Sequence, residues 1–181
     1  MTMDELRYPI GKFNPSQEIS IKNRKKWIKT IRRFPKKIRA AVKKLNDEQL
    51  DTPYRPGGWT IRQVVHHVAD SHINSYVRFK WTLTEDTPEI KAYEQEGWAE
   101  LPDAKTGPIK PSLTILEGVH QRWYQLLKSM SDEDFARELT HPEWDFKLSL
   151  NRMLSLYAWH CKHHLAHITN LTSSEEFKDE S

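Results

Sequence analysis

One cysteine in 181 residues, Cys161, rules out an intramolecular disulfide and a cysteine-rich zinc site. No apolar run approaches the roughly 18 residues of a membrane span. The first residues, MTMDELRYPIGKF, lack the apolar core of a signal peptide. The chain therefore reads as cytoplasmic, with no membrane partner. Aliphatic content is low as well: hydrophobic residues make up 37% and charged residues 29%. That balance suits amphipathic helices with wide solvated faces better than a sheet covered on both sides. Seven tryptophans bring aromatic mass to the core instead. The length is that of one domain with a core of its own, spanning residues 1–181.

Acidic residues are missing from Lys22 to Lys44, a stretch with twelve Lys or Arg, although the whole chain carries only +3. A nucleic-acid or anionic-partner surface is one reading of this face. The apolar residues Trp27, Ile28, Ile31, Phe34, Ile38, Val42 and Leu45 define a buried stripe, however, and leave the charges outside by default. No aromatic or Gly-rich element follows to hold bases. The stretch is read as the solvated side of an amphipathic helix, and nucleic acid is not expected as a partner.

Residues 1–16, with Pro9, Gly11 and Pro15, read as an extended lead-in. A first helix spans about Ser16 to Leu45, and its stripe stays in phase across Pro35, which implies a kink rather than a reversal. Asn46 to Trp59 is a loop broken by Pro53, Pro56 and Gly57-Gly58. Thr60 and Gln63 have the spacing of a capping box, opening a second helix to about Leu83. Glu85 to Pro111 has four prolines and no clear periodicity. A connection that long crosses over a bundle or covers a site. Ser112 is read as the cap of a third helix with Leu113, Leu116, Val119, Trp123, Leu126 and Leu127 as its stripe. Ser131 opens a short helical piece, and His141-Pro-Glu-Trp is a turn. A fourth helix spans about Ser149 to Leu171, and the polar tail 172–181 is expected to fray. The fold class is all-α, a four-helix bundle with a long crossover loop.

What the chain has in excess is histidine in two clusters. His160, His163, His164 and His167 fall within eight residues of the fourth helix, and His66, His67 and His72 lie on the second. His160 and His164 are one turn apart, so the helix offers two nitrogens to one metal ion. Three imidazoles around a divalent metal leave a position open, as in catalytic rather than sealed structural sites. That position can acidify a water, polarise a carbonyl or bind a thiol as thiolate. At ~100° per residue, Leu150, Leu154, Tyr157, Cys161, Leu165 and Ile168 share one face. His164 falls within it and His160 on its border. His167 is placed beside the ligands or at the surface, and His163 in solvent. On the second helix the same wheel puts His72 mid-stripe and His67 well off it, so periodicity nominates His72 as third ligand. Cys161, on the apolar stripe, is an inert core thiol. The competing view is a basic-helix interaction module whose histidines are incidental.

The segments Gly58-Trp-Thr-Ile-Arg-Gln-Val-Val-His-His67-Val-Ala-Asp70-Ser-His72 and Trp159-His160-Cys-Lys-His-His164-Leu-Ala-His-Ile168 closely resemble the DinB/YfiT-like superfamily. They match its metal-dependent hydrolase group, and the likeness covers most of the chain. The resemblance implies a commonly dimeric four-helix bundle with a three-histidine metal site. The histidine before Val-Ala-Asp, here His67, would join His160 and His164. One divalent metal per chain, zinc or nickel by ligand type, is the implied cofactor. Two chemistries are implied: metal-dependent hydrolysis, and transfer of a low-molecular-weight, bacillithiol-type thiol to a small-molecule electrophile. His160-Cys161-Lys162 offers no general base beside the ligand pair, which favours thiol transfer. A homodimer is expected from the resemblance and from an aromatic-rich chain that leaves apolar surface to cover.

Overall fold

Four long helices carry the fold, and each begins where its sequence supplies a start. The computed structural model describes residues 2–143, 145–175 and 177. Its elements are α1 (Met3–Arg7), α2 (Ile21–Val42), α3 (Asp47–Leu50), α4 (Ile61–Thr84), α5 (Gln95–Ala99), α6 (Pro102–Lys105), α7 (Lys110–Ser129), α8 (Asp132–Ala136), β1 (Glu138–Leu139), β2 (Leu148–Ser149) and α9 (Leu150–Thr172). α2 and α4 each pack against both α7 and α9. The resulting core holds Ile31, Phe34 and Ile38 of α2, Val64, Val68 and Phe79 of α4, Leu116 and Trp123 of α7, and Leu154 and Ile168 of α9.

α2 starts behind Ser20, whose hydroxyl accepts from the Asn23 N–H, rather than at the expected Ser16. It continues through Pro35. Proline has no N–H, so the Ile31 carbonyl one turn earlier loses its helical donor. His120 of α7 takes that place, with Nδ1 2.7 Å from the Ile31 oxygen. The Thr60–Gln63 capping box at the head of α4 forms as expected. Ser112 does not cap α7: the helix begins at Lys110 with Pro111 in its first turn. Ser112 lies inside it, 2.8 Å from Nδ1 of His66.

The connections are more ordered than periodicity suggested. The lead-in contains α1 and turns at Gly11, whose φ of +75° favours glycine. Its Gly11 carbonyl accepts from the Trp159 indole at 3.1 Å, which lays this segment along α9. The crossover carries α5 and α6, elements too short to show a helical period. Gln63 donates to the Ala99 carbonyl and Trp59 to the Glu96 carboxylate, so the crossover sits over the start of α4. Arg62, nearly buried, pairs with Asp47 and Asp51 and donates to the Gly107 carbonyl. Gly107 is required there, because a Cβ would meet the Asp103 carbonyl oxygen at 2.2 Å. β1 and β2 form an antiparallel pair just before α9. The tail does not simply fray: Phe177 is buried against the core, while Glu176 and 178–181 lie outside the described residues, as do Met1 and Trp144.

Candidate metal centre

His67 comes from the second turn of α4, and His160 and His164 from successive turns of α9, at the seam where the two helices meet. One nitrogen of each ring lies within 4.8 Å of the others. Ring centroids are 5.5 Å apart for His67–His160, 4.9 Å for His67–His164 and 4.4 Å for His160–His164. The Trp59 ring packs against His67 at 4.5 Å, tilted by 47°, and closes one side. The structure thus brings together the three residues named by the resemblance.

His72, the choice of the helical wheel, lies outside this group. It is fully buried, with Nδ1 2.7 Å from Nε2 of His120 and Nε2 3.0 Å from Nδ1 of His160. The wheel identified a core position correctly. The three-histidine group, however, sits on the α4–α9 seam rather than at the centre of the apolar stripe. His163 was expected in solvent and is buried, stacked on Trp159 at 4.4 Å. The cause is the folded-back lead-in, which brings Tyr8 to 6.1 Å from His163. His167 is buried, stacked on Tyr54 at 3.9 Å. Its Nδ1 is 3.4 Å from Nδ1 of His164, and its Nε2 is 3.2 Å from the Arg7 carbonyl oxygen. His163, His164 and His167 also lie close enough to hold one ion.

Burial is the leading cause of every histidine shift here. It pushes His67, His120 and His167 down to about 4 and His163 to about 3, and holds His72, His160 and His164 well below the usual imidazole range. The rings are neutral at pH 7, so no proton competes for their lone pairs, and three such nitrogens suit a borderline divalent metal. Burial also pushes the Cys161 thiol well up, in keeping with an inert core residue.

A cavity of about 380 Å³ opens over the three-histidine group. Arg7 and Arg55 give it positive charge, and Tyr8, Tyr54 and Trp159 give it aromatic walls. Its carboxylates are engaged: Glu96 accepts from the Trp59 indole, and Glu100 from Lys105 and Gln63. Those donors hold Glu100 below its usual value, led by Lys105. The lead-in and Asn46–Trp59 loop therefore contribute walls that spacing alone did not reveal. The one sequence signal for them was the aromatic and arginine content of otherwise aperiodic segments.

Residues 30–168 match the family model described as the DinB superfamily. The protein named "Putative metal-dependent hydrolase YfiT" of Bacillus subtilis (strain 168) is 49% identical over 172 residues, 95% of this chain and 97% of that protein. A similarly described protein of Bacillus cereus (strain 03BB102) is 52% identical over 169 residues, covering 93% and 96%. The solved structure of YfiT from Bacillus subtilis, described as an unusual four-helix bundle, superposes with a TM-score of 0.90. It covers 93% of this chain and 96% of its own at 49% identity.

The neutral histidines make stability pH-dependent. Their folded-state pKa lies below the unfolded value near 6.5, so unfolding takes up protons between about pH 6.5 and 4. The stabilisation is whole above 6.5 and is lost as pH falls through this window, at about 1.4 kcal/mol per pH unit for each proton. Asp70 opposes them. Burial and then Asp103 push it up to about 6, so its contribution is lost as pH rises. One carboxyl does not outweigh several imidazoles. Thermal melts of metal-stripped protein should show Tm falling from pH 7 to pH 5; a level or rising Tm contradicts the assignment of neutral rings.

Proposed function

Since the chain belongs to the DinB superfamily, we propose that it is a cytoplasmic enzyme using one divalent metal, zinc or nickel. His67, His160 and His164 hold the ion, and the chemistry is transfer of a small thiol to an electrophile. The observation that carries the reading is three neutral imidazoles converging beneath an open cavity. When bound, a metal with an open position lowers the pKa of a thiol placed there. Arg7 and Arg55 favour an anionic thiol, of the bacillithiol type, and the aromatic walls suit an apolar electrophile. Among the described residues, no helix is long and apolar enough to cross a membrane, and no nucleic acid enters the reading.

Hydrolysis, the chemistry in the relatives' names, needs a partner that takes a proton from water, with a pKa near the working pH. Glu100 is held low by Lys105, and His163 sits at about 3. Both are poor bases at pH 7, which supports thiol transfer as the first choice.

Elemental analysis of purified protein should find about one divalent metal per chain. His67→Ala, His160→Ala and His164→Ala should each lose it with the helical signal intact, because two ligands do not enclose an ion. His163→Ala should retain it. Metal retained in His67→Ala and lost in His163→Ala would move the site to the second histidine set.

Conjugation of a bacillithiol-type thiol to a simple electrophile should depend on both metal and thiol. Metal-dependent ester or amide hydrolysis without thiol would reverse the ranking of the two chemistries.

The assembly proposed with this reading is a homodimer. Trp81, Leu101, Ile115 and Phe146 are large apolar side chains left exposed on the single chain. Light scattering at micromolar concentration should give twice the 21.5 kDa chain mass, and a monomer mass counts against it.

A further inference from the structure

Two of the three proposed ligands are backed by outer imidazoles, two behind His160 and one behind His164, in lines that end on a main-chain carbonyl. We infer that these lines fix the ring tautomers, so that His160 and His164 both present Nε2 to the metal, with His72, His120 and His167 as positioning residues.

The first line starts at Ile31. Its carbonyl has no helical donor because Pro35 lacks an N–H. A carbonyl only accepts, so His120 Nδ1, 2.7 Å away, carries the proton. A neutral imidazole has one donor and one acceptor nitrogen, which leaves Nε2 of His120 as acceptor. His72 Nδ1 donates to it at 2.7 Å. His72 Nε2 must then accept, and its donor is Nδ1 of His160 at 3.0 Å. The remaining lone pair of His160 is on Nε2.

The second line starts at Arg7, in the last turn of α1, where carbonyls have no partner within the helix. His167 donates to it through Nε2 at 3.2 Å. Its Nδ1 accepts from Nδ1 of His164 at 3.4 Å. The lone pair of His164 is again on Nε2. The same polarity leaves His167 with one protonated nitrogen and one engaged, which disfavours it as a ligand in the set with His163.

Outer hydrogen bonds of this kind orient metal-binding imidazoles and raise their basicity. Here the outer partners are other imidazoles and backbone rather than carboxylates, so the site gains orientation without added negative charge.

The inference rests on His67, His160 and His164 as ligands, and its test separates the two. In zinc-loaded full-length protein with nitrogen-labelled histidine, long-range proton–nitrogen spectra report each tautomer. His72 and His120 should be protonated on Nδ1 and His167 on Nε2. After zinc is removed, His160 and His164 should be protonated on Nδ1 as well. Any of these five rings in the opposite tautomer overturns the inference. A chain that binds no zinc fails the ligand assignment, while the tautomers of the zinc-free protein still decide this one. His167→Phe keeps a ring against Tyr54 but removes both nitrogens. Zinc affinity, read by competition with a chromophoric chelator, should fall roughly 10–100-fold with helicity unchanged. Unaltered affinity in the folded variant overturns the role of His167.

Discussion

An imidazole buried in a dry interior has one N–H and one lone pair to satisfy, and this chain buries seven of its nine histidines. That demand organises much of the molecule. His66 joins α4 to the Ser112 hydroxyl of α7 and to the Gly107 carbonyl of the crossover. His120 joins α7 to α2, and His72 joins α4 to both α7 and α9. His167 holds the lead-in to α9. Most polar links between the long helices therefore involve an imidazole. Hydrophobic burial drives the collapse, but these links help set how the helices are aligned.

The four long helices were legible because each runs at least twenty residues with an apolar stripe. Thr60 and Gln63 announced the start of α4 because a capping box is encoded within four consecutive residues. The short elements α1, α3, α5 and α6 were not legible, since four or five residues complete little more than one turn. Ser112 illustrates another limit. As a helix-capping type next to a proline it read as a start signal, yet its hydroxyl is taken by a histidine far away in sequence.

For the site, spacing alone gave His160 and His164, because one turn of one helix fixes their separation. The third position depends on which part of α4 faces which neighbour, and a wheel reports only which side is apolar. It found His72, a core residue, whereas His67 came from motif resemblance. His120 carried no local signal as a lone histidine on α7. Pro35 did: a proline within a helix leaves a carbonyl seeking a donor, although sequence does not say from where. His163 was misplaced because nothing local foretold that the lead-in would fold back over it.

The lead-in gives this protein two different boundaries. The family match begins at residue 30 and the bundle itself at Ile21, so a cut drawn by packing would spare every long helix. Yet Arg7 receives the His167 bond, Gly11 receives the Trp159 bond, and Tyr8 lines the cavity. The packed bundle is thus smaller than the set of residues that encloses the cavity. A bundle trimmed to its core would keep His67, His160 and His164 and lose one wall of the chamber above them.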